Sequence, residues 1–123
     1  MKEHKLSNNL SFLDYLYAGC QIKAHFAIDY TNANAAIDSE DSLHHKKGGS
    51  TKSNGYSRLL TSLLTLFKDY HLGGSFPVYG YGAKIDNAPE DSGQSKCFAV
   101  NGNIYQPECQ GINHAIGAYF NSL

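Results

Sequence analysis

The stretch Ile22-Lys23-Ala24-His25-Phe26-Ala27-Ile28-Asp29-Tyr30-Thr31-Asn32-Ala33-Asn34 decides how this chain is read. Ile22, Ala24, Phe26 and Ile28 alternate with Lys23, His25 and Ala27, and the alternation fades toward the end. That pattern predicts a strand over about Gln21–Tyr30, covered on both faces. The strand stops at Asp29, and small hydroxyl and amide side chains follow. In an open α/β sheet, ligands bind just beyond the carboxyl ends of the strands. A hard divalent cation at that place takes oxygen ligands, which Asp29 and Thr31 can supply directly or through water. The competing reading of Asp29 is a carboxylate that caps the turn after the strand.

Working outward, Ser11 with Asp14 three residues on is a capping-box variant, which predicts a short helix over Phe12–Tyr17 ended near Gly19. Residues 32–54 are rich in Ser, Asp, Asn, Gly and Lys and nearly free of large apolar side chains, so a long polar loop is expected. Within it, His44-His45-Lys46-Lys47 reads as a solvated segment, since no third nitrogen or sulfur ligand lies at metal-binding spacing. Leu59, Leu60, Leu63, Leu64, Phe67 and Tyr70 fall at helical spacing and predict the main packing helix, stopped by Gly73-Gly74. Phe76–Ala83 reads as a second strand whose Gly80 and Gly82 admit a close neighbour. Cys97–Val100 reads as a short edge strand. Pro107 and Glu108 suit the start of a last helix that buries Ile112, Ile116, Tyr119, Phe120 and Leu123. The order strand, helix, strand, strand, helix is half of a doubly wound α/β sheet.

Composition excludes several functions. The 123 residues suffice for one domain at most, and 11 acidic against 10 basic side chains leave a net charge of −1. Such a chain has no field with which to grip nucleic acid or an anionic membrane. Its three cysteines, Cys20, Cys97 and Cys109, are odd in number and have no metal-binding spacing, which points to reduced thiols and a cytoplasmic setting. Gly80-Tyr81-Gly82 lacks the third glycine of a dinucleotide loop, where Ile85 stands. His25 and His114 read as partly buried residues, and no nucleophile, base and orienting group can be assembled into a catalytic set. The expectation is a protein that is not an enzyme.

Five ordered blocks carry a resemblance to the von Willebrand factor A-type domain of copines. They are Phe12-Leu13-Asp14-Tyr15 with Gly19-Cys20-Gln21-Ile22, Ile28-Asp29-Tyr30-Thr31-Asn32-Ala33-Asn34, Ser42-Leu43-His44, Phe76-Pro77-Val78-Tyr79-Gly80-Tyr81-Gly82-Ala83, and Asn101-Gly102-Asn103 with Pro107-Glu108-Cys109-Gln110-Gly111-Ile112. The resemblance implies a polar tail over 1–10 and, over 11–123, a partial doubly wound (Rossmann-like) A-type sheet with flanking helices, ending before its fourth strand. It also implies a divalent-cation site of the Asp-x-Ser/Thr-x-Ser kind, of which Asp29 and Thr31 are retained. Ala33 stands where the last serine would be, so a Mg²⁺ would be held weakly.

The function this implies is a non-catalytic protein-protein interaction module with a degenerate cation site. The alternative is a structural subunit of a larger assembly, in which the metal site is lost and the surface serves for docking. The resembled proteins carry separate lipid-binding modules that are not among these residues, so no direct membrane binding by this chain alone is expected. Three scattered cysteines cannot build the zinc-binding segment of the ubiquitin-ligase relatives. The expected partner is a protein or second polypeptide that completes the sheet along Ile22–Tyr30.

Overall fold

The computed structural model describes residues 9–46, 53–70, 73–85 and 93–123. Helix α1 (Phe12–Tyr17) begins with the anticipated capping box: the Asp14 amide donates to Ser11 Oγ at 3.3 Å and the Asp14 carboxylate accepts from the Ser11 amide at 2.7 Å. Ala18 caps it and Gly19 turns away with φ +85°. None of its residues is buried, so the caps and not packing define it.

Strand β1 (Phe26–Asp29) lies parallel to β2 (Ser75–Tyr81), with Phe26 opposite Val78 and Asp29 opposite Tyr81. On its other edge β2 pairs antiparallel with β3 (Phe98–Ala99), through Tyr79 and Gly80, and with β4 (Glu108–Gln110), through Ser75 to Pro77. Single bonds show how the edges divide. The Tyr30 amide donates to the Tyr81 carbonyl at 2.9 Å on the β1 side, while the Val78 amide donates to the Pro107 carbonyl at 3.2 Å on the far side. The sheet is therefore mixed, and β1 forms one edge of it among the described residues.

Helices α2 (Gly55–Phe67) and α3 (Gly111–Asn121) pack against each other and on the face that carries Phe26, Ile28, Phe76 and Val78. Leu60, Leu64, Ala115, Tyr119 and Phe120 close this core. Each large side chain buried there contributes roughly 1.5–3 kcal/mol. On the opposite face Ala27, and His25 just before β1, are exposed, so among the described residues cover on both faces of the strand is not found; the two long helices fall on the same side.

Three expected elements differ. The stripe on α2 is narrower: Leu60 and Leu64 are buried and Leu63 and Phe67 half-buried, but Leu59 and Tyr70 are exposed. Pro107 and Glu108 do not open a helix. Their backbone is drawn out along the far edge of β2, whose amides and carbonyls need partners, and α3 begins only after Gly111 with φ +71°. His25 and His114 are exposed and not partly buried; His114 Nδ1 accepts from the Gln110 amide at 3.0 Å, closing the first turn of α3.

Candidate functional site at the end of the first strand

Beyond β1 the chain folds back at once. The Thr31 amide donates to Asp29 Oδ1 at 2.8 Å, an Asx turn, and Asn32–Asn34 form a single 3₁₀ turn. Ala35 closes it at φ 60° and ψ 174°, a backbone region essentially reserved for glycine that costs another residue about 1–3 kcal/mol. Gly82, at φ +82°, passes so near Thr31 that a Cβ there would collide with the threonine methyl carbon, and a Cβ on Gly80 would strike the Phe98 and Tyr30 rings. The two glycines thus do what their spacing suggested.

The Asp29 carboxyl is held below the usual carboxylate range, first by the Thr31 amide bond, then by the Thr31 side chain, with smaller help from Tyr81 and His44. The group is ionised, half-exposed and at the carboxyl end of a parallel strand. Its main-chain carbonyl is bound from two sides: Asn34 Nδ2 donates to it at 3.0 Å, and His44 Nε2 lies 2.8 Å away. Both expected ligands, Asp29 and Thr31, therefore occupy one turn. Ala33 is exposed and brings no donor atom. Among the described residues no three His, Cys, Asp or Glu side chains gather into a metal-binding group. Among the described residues the turn gathers one carboxylate and one hydroxyl, fewer oxygens than the near-octahedral set that Mg²⁺ takes, with water left to supply the rest.

The segment expected to be solvated supplies the back wall of this site. His44 is 3% exposed. Its ring stacks between Tyr30 (centroids 5.0 Å apart) and Tyr56 (4.5 Å), and its Nδ1 lies 2.9 Å from the Tyr119 hydroxyl. Asn54, also buried, donates from Nδ2 to both the Tyr119 hydroxyl and the His44 carbonyl at 2.9 Å. Tyr56 donates to Asn34 Oδ1 at 3.3 Å, and the Tyr30 hydroxyl lies 2.6 Å from Ser122 Oγ. Burial pushes the His44 pKa down, and it pushes Tyr56 and Tyr119 up and Tyr30 up to about 12.

His44 was misread because its own neighbourhood is polar: Ser42, His45 and Lys46 give no hydrophobic periodicity, while its burial comes from rings far along the chain. The usable signal lay elsewhere, in Tyr30, Tyr56 and Tyr119, large rings that each need a polar partner when buried. His45 is half-buried and Lys46 is exposed with its Nζ 5.9 Å from the Phe120 ring centroid; Lys47 lies outside the described residues. Cys20 and Cys97 are exposed free thiols and Cys109 is a buried one.

Among the described residues, no helix is long and apolar enough to cross a membrane. The family model described as Copine matches residues 42–123, two thirds of the chain. The matched stretch includes His44, Asn54 and Tyr119 and begins after Asp29 and Thr31, whose case rests on their own geometry.

Proposed function

This chain belongs to the copine family, and from that premise we propose that it is a non-catalytic protein-interaction module whose recognition centre is the end of β1. The observation that carries the reading is the Asp29 turn: an ionised carboxylate, presented at the end of a parallel strand on a main chain held by His44 and Asn34. A divalent cation would meet Asp29 and Thr31 there, keep most of its water, and be held weakly. A carboxylate or hydroxyl from a partner protein would complete its coordination. Nucleic acid and bare membrane are not partners in this reading, and the compartment is the cytoplasm.

The edge of β1 supports a second contact. The Tyr30 amide points toward β2, so in the alternating strand the backbone groups of His25 and Ala27 point the other way, where no strand lies among the described residues. Such an edge pairs with another polypeptide segment. Hydrogen exchange on the purified chain tests this. The His25 and Ala27 amides should exchange fast in dilute solution and gain protection when a partner or a second copy is bound. Strong protection of both in a compact monomer would refute it. The alternative, a docking subunit without any cation, keeps the edge contact and dispenses with Asp29; the partner's insensitivity to Asp29→Ala would favour it.

A further inference from the structure

We propose that His44 is the positioning residue of the Asp29 turn: its imidazole donates to the Asp29 carbonyl and is itself locked from behind by Tyr119 and Asn54, so that α3 sets the geometry in which the strand end is presented. The inference rests on the reading of that end as a recognition centre, but its evidence is separate.

The argument is an accounting of protons. A carbonyl oxygen only accepts, so the His44 nitrogen 2.8 Å from the Asp29 carbonyl, Nε2, must carry a hydrogen. The ring is buried, and both of its nitrogens have protein partners. Nδ1 faces the Tyr119 hydroxyl at 2.9 Å, and that hydroxyl can turn its hydrogen to Nδ1 or to Asn54 Oδ1 at 3.2 Å. That hydroxyl can in turn accept from Asn54 Nδ2, whose other hydrogen goes to the His44 carbonyl. Asn54 Oδ1 is occupied by the Ser57 amide at 2.8 Å, at the N-terminus of α2. Every polar atom of the group therefore has a partner, and no buried side-chain donor or acceptor among the described residues is left without one. Reversing the tautomer would set two hydrogen-free acceptors, Nε2 and the Asp29 carbonyl, against each other.

The ring has no freedom to leave. Tyr30 and Tyr56 sandwich it, Tyr56 also holds Asn34, and Asn34 is the second donor to the same carbonyl. Fixing that carbonyl fixes the peptide plane between Asp29 and Tyr30, and with it the direction in which the Asp29 side chain leaves the strand. Tyr119, fully buried on α3, is the rear anchor. Each of these contacts is made between protein atoms, which preorganise the turn.

The test uses the full chain and reads the turn directly. In wild type near pH 8, long-range proton–nitrogen NMR correlations should show His44 protonated on Nε2 and bare on Nδ1; the opposite tautomer overturns the proposal. In His44→Phe the ring keeps its place between the tyrosines and donates nothing. Exchange of the Thr31, Asn34 and Ala35 amides should then rise at least tenfold while those of Val78 and Gly80 stay within threefold. His44→Gln, whose amide can still donate, should recover part of the protection. Equal loosening of turn and β2 would assign His44 a packing role only, as would an unchanged turn, and either result sinks the proposal. Tyr119→Phe removes the rear donor without creating a cavity and should loosen the same three amides to a smaller degree. These readouts do not involve a cation or a partner, so absence of Mg²⁺ binding would count against the functional reading and leave this one standing.

Discussion

Asp29 keeps its charge because the Thr31 amide is there to receive it, yet the same bond occupies one of the two oxygens a cation would use. With Ala33 in place of a hydroxyl, one protein anion has to hold Mg²⁺ largely through water. Titration calorimetry should therefore show little heat up to millimolar Mg²⁺, and sub-micromolar binding abolished by Asp29→Ala would contradict this. His44 gives a pH dependence of definite sign. Its folded-state pKa is lowered, chiefly by burial, against an unfolded value of about 6.5. The unfolded chain thus takes up the proton first, so stability present above that value is lost as pH falls through it toward the folded value. Thermal midpoints should drop between neutral and mildly acid pH, and His44→Gln should flatten the drop. That Asp29 and Thr31 share the turn at the end of β1 was legible because a strand end is a local pattern. His44 was not, because its burial depends on Tyr30, Tyr56 and Tyr119, which the fold and not the local sequence brings to it.

At the scale of elements, periodicity marks which face of a helix is apolar but not how much of that face finds cover. On α2 the buried line runs Leu60, Leu64, and Leu59 points to solvent at 55% exposure. Leu64, fully buried, has neighbours on every side, so Leu64→Ala should cost about 2–5 kcal/mol, whereas Leu59→Ala should stay within about 0.5. Denaturant unfolding of the two variants checks this, and similar losses would mean that the helix lies in another orientation. Gly80→Ala should also destabilise, by about 1–3 kcal/mol or more, because Phe98 and Tyr30 already fill the space of a Cβ. The capping box on α1, Gly80 in β2 and Gly82 just beyond it were readable since each is a local requirement with one physical solution. The start of α3 was not. Pro107 and Glu108 suit a first helical turn in isolation, and only pairing with the far edge of β2 decides that they become strand.

At the scale of the whole molecule, one aromatic cluster joins segments that the chain keeps far apart. Tyr30 follows β1, His44 lies in the polar connection, Tyr56 is on α2 and Tyr119 is on α3, and each ring stands within 6.5 Å of others in the group. The cluster sits where the sheet meets both long helices, so opening it separates all of them. Its hydroxyls make it vulnerable to base. Burial, the largest cause in each case, raises the pKa of Tyr56, of Tyr119 and of Tyr30, the last to about 12, against about 10 in an unfolded chain. Because the folded-state values are raised, the unfolded chain loses these protons first. Stability is therefore complete below about pH 10 and is lost as pH rises through the folded values. The molecule should unfold cooperatively between about pH 10 and 12. In that interval a step in tyrosinate absorbance should coincide with the loss of helical circular dichroism. Tyr30→Phe removes one of the linked protons and should make the transition shallower in pH, although it also removes the contact with Ser122. If all nine tyrosines ionised while the circular dichroism stayed unchanged, the cluster would not be the joint that holds sheet and helices together.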